Sequence, residues 1–265
     1  MNNDTPIPAS LAIGGLAVDA RGAFELAAEA RYHGIVFATN HPELMPDQLG
    51  QTARRHLKTM LAGKRLEIDA IRIASPKGGL TDPTTIDRTL DHAQKAFLLA
   101  RDLGVKVVSL NVGDLADNKV PHSTMVAAIR QLAQHADAVG GGELTLSLGG
   151  DVSEPLRSVI KEVDYDRAAA NLDTGSTLAV GEDILVAAEM FAGVIGQVTA
   201  ADVIRAGKMV RATFLGEGQL PLHELLEILA DQGFRGPLVV DVRDLPDGAA
   251  GARHAAGVLR KLLQQ

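Results

Sequence analysis

The chain has 265 residues, 46% of them hydrophobic and 22% charged, which excludes global disorder and suffices for one large α/β domain. With 26 Lys+Arg against 33 Asp+Glu the formal charge is −7, which argues against nucleic acid or an anionic membrane as the main partner. No cysteine occurs, so disulfides, thiolate metal ligands and a cysteine nucleophile are excluded. Aromatic residues make up 3%, with no Trp, leaving few platforms for stacking nucleobases. The start, Met1-Asn2-Asn3-Asp4-Thr5-Pro6, carries neither a basic stretch nor an apolar block, so no signal peptide is expected. No apolar run reaches the roughly 18 residues of a membrane span. A cytoplasmic protein facing a small molecule is the expectation.

Residues 1–8 read as a flexible start, with two prolines among polar neighbours, and 9–265 as a single domain. Strands are expected near 9–13, 34–38, 66–73, 105–110, 143–148, 167–172, 194–199 and 237–241. Several are near-continuous apolar runs, as in strands covered on both faces. Gly34, Gly104 and Gly233 each stand between a helical stretch and a strand and read as left-handed helix stops. Asp82-Pro83 reads as an N-cap with Pro at the first helical position. Ile86, Leu90, Ala93, Ala96, Phe97 and Ala100 then share one face of a helix over 86–103. His122 starts the next helix, whose apolar face holds Met125, Ile129, Leu132, Ala133 and Ala136. Leu222, Leu225, Leu226 and Leu229 mark another, and Val258, Leu259, Leu262 and Leu263 the last.

Eight units of about 33 residues match a βα repeat, so the expected fold class is α/β, a single (β/α)8 TIM barrel. An open doubly wound sheet would need a glycine-rich dinucleotide loop after the first strand, and Gly14-Gly15 is too little. Chemistry in such a barrel gathers at the carboxyl ends of the strands. Those ends carry Asn111, Ser147, Asp173, Thr199 and Asp241, with His41 in the loop after the second strand.

Over roughly 165–245 the chain resembles the xylose-isomerase-like barrels of the sugar phosphate isomerase/epimerase superfamily. The resemblance rests on Leu172-Asp173-Thr174-Gly175, on Asp202 closing strand seven, on the Leu215-Gly216-Glu217-Gly218 turn, and on Gly236-Pro237-Leu238-Val239-Val240. It implies one divalent metal held by Glu, Asp, His and Glu from strands five to eight, the two glutamates also moving the proton. Here those positions read Ser147, Asp173, Thr199 and Asp241, and Ser176 stands where a second His is common. Hydroxyls are poor metal donors beside imidazole or carboxylate and are not bases near pH 7. Asp is a methylene shorter than Glu, placing its carboxylate about 1.5 Å farther from an ion positioned for Glu. The metal site therefore reads as degenerate. No cofactor is expected, and at most a weakly bound divalent cation.

The catalytic candidates are Asp173, Asp241 and His41. Asp173 and Asp241 either form a two-carboxylate centre sharing a proton or are neutralised by donors, Arg243 being a candidate for Asp241 or Asp244. Asn111, Ser147, Thr199, Arg205, Lys208, Arg211 and Arg243 are the ligand-binding candidates. The cations either hold an anionic ligand or spread positive charge over an acidic surface. Gly216-Glu217-Gly218 reads as a tight turn and His33 as a helix cap. Three functions follow: a barrel that has lost its metal and binds a sugar-like, small polar or anionic ligand; an isomerase, epimerase or dehydratase with relocated catalytic groups; or an interaction scaffold. Homo-oligomers through outer helices fit any of these.

Overall fold

The computed structural model describes residues 7–141, 144–149 and 152–263, and of Ser147 the backbone only. The first half runs β1 (Ala9–Ala12), α1 (Ala20–Glu29), β2 (Gly34–Ala38), α2 (Gln51–Gly63), β3 (Glu67–Arg72), α3 (Ile86–Leu103), β4 (Val107–Asn111) and α4 (His122–Gly140). The second runs β5 (Thr145–Gly149), α5 (Ser153–Val163), β6 (Ala168–Asp173), α6 (Thr174–Val180), α7 (Ile184–Met190), β7 (Ile195–Ala200), β8 (Asp202–Ala206), β9 (Met209–Thr213), α8 (Leu222–Asp231), β10 (Leu238–Asp241) and α9 (Gly248–Leu262).

β1 to β7 and β10 close into an all-parallel barrel, β1 pairing with both β2 and β10. Each expected strand thus forms, shifted by no more than two residues at either end. Of the start expected to be flexible, residues 1–6 lie outside the described residues. Ile7 is buried, and Leu238 N donates to Pro8 O.

Alternation along the strands sorts their side chains into two layers. Ile35, Phe37, Ile71, Val108, Leu110, Leu146, Leu148, Ala170, Leu172, Val198 and Val240 join the large core between barrel and helices. Ala12, Val36, Ala70, Val107 and Val239 form a separate cluster inside the barrel. One step further along the same inward faces the residues turn polar: Arg72 after Ala70, Ser109 after Val107, and Asp241 after Val239. The interior is an apolar floor beneath a polar mouth.

Two helix-boundary expectations are corrected. Gly104 and Gly233 do take the left-handed conformation behind α3 and α8, but Gly34 does not. Arg31, at φ 64°, supplies the reversal behind α1, and Gly34 already pairs in β2. It stays small for another reason: a Cβ there would lie 2.6 Å from Glu67 O and overlap the Asp69 carboxylate. Asp82 caps no helix, because α3 begins only at Ile86. Its Oδ1 accepts from Thr84 N at 2.8 Å in the preceding turn. His33 caps no helix either, its Nδ1 meeting Asp69 Oδ2 at 3.0 Å.

Candidate functional site

β6, β7, β10 and β3 deliver four groups of side chains to the mouth. Asp241 ends β10, with its side chain only 5% exposed, and its Oδ2 meets Arg72 Nη1 at 2.8 Å and Arg243 Nε at 2.9 Å. Arg243 Nη2 binds the same oxygen, and Arg243 N donates to Oδ1. Of the two partners weighed for Arg243, then, it is Asp241 that it clasps. β3 is not a neighbour of β10 in the barrel order, so Arg72 spans the mouth to reach this carboxylate. Burial is the largest influence on Asp241 and acts to raise its pKa. The Arg72 and Arg243 charges and hydrogen bonds outweigh it and bring the pKa down to about 2.

Asp173 ends β6 and caps α6, its Oδ1 accepting from Ser176 N at 3.0 Å. Its pKa moves the other way. Burial raises it, the Ser176 N–H opposes, and the Asp241 charge raises it further. Beside these acids, Thr199 Oγ1 donates to Asn171 Oδ1 at 3.0 Å, and Gln197 Nε2 donates to both residues at 3.2 Å.

The close approach that places Arg243 depends on Gly15, just after β1. A Cβ there would lie 2.5 Å from Arg243 N and Cα and 2.9 Å from Val242 C, all backbone. Gly15→Ala is therefore expected to destabilise the fold by about 2 kcal/mol through overpacking. A urea titration unchanged from wild type would contradict that.

The other sequence candidates whose side chains are described form no hydrogen bond or ion pair with the two acids. Arg205, Lys208 and Arg211 are exposed on the β8–β9 hairpin or its turn, and Arg205 lies over Gly181 beyond the end of α6. The cations acting on Asp173 are instead Arg72 and Arg243. Asn111 is exposed, and its Oδ1 accepts from Gly113 N at 2.8 Å in the loop after β4. His41 Nδ1 accepts from Glu43 N at 3.3 Å, and burial lowers its pKa against the opposing Glu43 charge, so it is neutral at pH 7. Ser147 stands in register with Ser109 and Ala169, its side chain outside the description.

Sequence reasoning missed Arg72, Asn171 and Gln197. Arg72 was detectable as a charge closing an otherwise apolar strand end, Ala70-Ile71-Arg72. Asn171 and Gln197 were detectable as amides at inward positions of buried strands. Among the described residues, the His/Asp/Glu group close enough to share an ion is His33, Glu67 and Asp69, at the opposite end of the barrel.

The sequence matches the family described as xylose isomerase-like TIM barrel over residues 24–262. The chain belongs to that family. Solved structures with the same fold include a xylose isomerase domain protein from Planctomyces limnophilus, 18% identical, covering 98% of each chain at a TM-score of 0.81. A xylose isomerase-like TIM barrel protein from Mycobacterium smegmatis in complex with magnesium is 15% identical, covering 100% of this chain and 99% of that one, TM-score 0.79. The D-psicose 3-epimerase with D-tagatose from Clostridium cellulolyticum H10 is 16% identical, covering 97% and 99%, TM-score 0.77. None of the curated proteins matches the chain in sequence.

At three of the positions where the resemblance implies metal ligands, the donors as described suit a divalent metal poorly. Asp241 Oδ2 is held by two guanidinium groups, Thr199 donates its proton to Asn171, and Asp173 Oδ1 is occupied as a cap. A doubly charged ion within about 4 Å of one guanidinium would be opposed by roughly 8 kcal/mol at an effective dielectric near 20. Too few carboxylates are free to offset that.

Proposed function

We infer that the barrel mouth binds a sugar-like or small polar ligand through an arginine–carboxylate centre at the strand ends where the resemblance implies a metal. The protein is on this reading a diverged member of the sugar isomerase, epimerase and dehydratase superfamily. The carrying observation is Asp241, buried and clasped by Arg72 from one side and Arg243 from the other. The guanidinium charges supply in fixed form what a cation would supply, namely N–H donors and positive charge facing developing or resident negative charge. The epimerase structure with D-tagatose supports a sugar-like occupant.

A thermal-shift panel of ketoses, polyols and sugar acids, run with and without EDTA and with added Mn²⁺ or Mg²⁺, tests this. A ligand at about 100 times its Kd is expected to stabilise the fold by about 2.7 kcal/mol, equally in EDTA. Stoichiometric metal in the purified protein, whose removal abolishes ligand binding, would overturn it.

A second reading, relocated proton-transfer catalysis, is favoured by one observation. Burial, with the Asp241 charge, raises Asp173, whereas Arg72 and Arg243 lower Asp241, the division of labour of an acid and its ionised neighbour. It predicts deuterium exchange from solvent into a carbon next to the carbonyl of a ketose or keto acid. Asp173→Asn should reduce that exchange about 100-fold or more. Absence of exchange across the panel would remove this reading and leave the binding one.

A further inference from the structure

The polar layer inside the barrel is incompletely satisfied. Ser109 is 2% exposed and Gln197 0%, yet among the described residues Ser109 Oγ and Gln197 Oε1 have no hydrogen-bond partner. Both lie on the inward face. Val108 and Leu110 on either side of Ser109 pack outward with the helices, as does Val198 beside Gln197. Arg72 is registered beside Ser109 on the neighbouring strand, and its side chain is 21% exposed. Of its five N–H donors one binds Asp241, and no described residue takes the others. Native interiors rarely leave such groups unpaired, because each forfeits the hydration it had in the unfolded chain.

The missing partner is defined by what is unpaired. Gln197 Oε1 accepts only, so it calls for an O–H or N–H donor. Ser109 Oγ takes either role, and Arg72 calls for an acceptor, best an anionic oxygen. Two guanidinium groups set against the Asp241 and Asp173 carboxyls sum to no more than one positive charge. That matches a single carboxylate better than a phosphate dianion, which would bring uncompensated negative charge into a buried site.

We propose that the ligand is a polyhydroxy monocarboxylate of the sugar-acid class, its carboxylate on the free face of Arg72 and its hydroxyls on Ser109 and Gln197. This rests on the arginine–carboxylate reading of the mouth and goes further in naming the ligand's charge and the two residues that select it.

Calorimetric titration at pH 7 and fixed ionic strength with D-gluconate, D-glucuronate, D-fructose, 6-phosphogluconate and acetate tests it. A sugar acid is expected to bind at least about tenfold tighter than fructose, acetate or the phosphorylated acid. Ser109→Ala removes a hydroxyl that has no partner among the described residues. It should leave the unfolding midpoint unchanged or raised, while lowering sugar-acid affinity about tenfold. Gln197→Met should lower that affinity likewise, and Arg21→Gln on the exposed face of α1 should not change it. If Ser109→Ala lowers the midpoint and spares affinity, the hydroxyl is structural and the proposal falls. Equal binding of fructose, or tightest binding of 6-phosphogluconate, overturns the sugar-acid class while leaving a ligand-binding mouth. Should none of the five bind, the sugar-acid proposal fails, and the broader panel with and without EDTA decides the reading beneath it.

Discussion

Asp202→Ala is expected to destabilise the protein by about 4 kcal/mol, a fall of roughly 10 °C in the unfolding midpoint for a chain of this size. Asp202 is 2% exposed at the start of β8. Its Oδ1 accepts from Val203 N at 2.9 Å and Leu220 N at 3.0 Å, and its Oδ2 from Gly216 N and Gly218 N at 2.9 Å each. One carboxylate thus organises the segment from the hairpin to the start of α8. Hydrogen bonds to a charged acceptor contribute about 1.5–3 kcal/mol each, less than additively when they share one group. Alanine leaves four backbone donors to find other acceptors. Asparagine retains a single oxygen and should recover about half the loss. Urea unfolding curves for the three proteins give the comparison, and a change below about 1 kcal/mol for alanine would show that the turn stands without its anchor.

Asp202 also shows what was legible beforehand. The Leu215-Gly216-Glu217-Gly218 turn and Asp202 were both picked out as landmarks of one resemblance, but nothing in a linear reading says that one binds the other. The barrel strands were legible because several are near-continuous apolar runs bounded by polar or glycine-rich segments, a local property. The hairpin was missed although Gly207-Lys208 separates two β-type runs, a two-residue turn signature. Asp173 and Asp241 were legible as acids at strand ends. Their opposite pKa shifts were not, because Asp173 is raised by burial and Asp241 is lowered by Arg72, which arrives from a strand far away in sequence, and by Arg243. Gly34 illustrates the same limit: it stands where a helix stop is expected, and Glu67 O and the Asp69 carboxylate of the next strand explain its size. Local preference is visible in one dimension, whereas a charge partner is a fact of packing.

Asp241 should control the acid limb of the stability profile. Its pKa is 3.8 when unperturbed and about 2 in the fold, where opposing burial is outweighed by Arg72 and Arg243. A depressed carboxylate contributes stability that is whole above about pH 4 and is lost as pH falls towards 2, here about 2 kcal/mol in all. Asp241→Asn should erase that part of the acid limb. At neutral pH it should also lower stability by about 3 kcal/mol, because the mostly buried Arg72 loses its ionic partner. Adding Arg72→Met to Asp241→Asn should recover about 1–2 kcal/mol, since the charge left unpaired is then gone and Arg243, half exposed, can turn to solvent. Asp173 carries the opposite sign. Its raised pKa makes its ionisation unfavourable, so its contribution declines as pH rises through that value. Asp173→Asn keeps a cap for α6 and should flatten that decline, leaving the variant as stable as wild type at low pH and more stable above. Chemical denaturation from pH 2 to pH 9 separates the two. If Asp241→Asn retains the wild-type acid limb, the clasp of Arg72 and Arg243 on this carboxylate does not hold in solution.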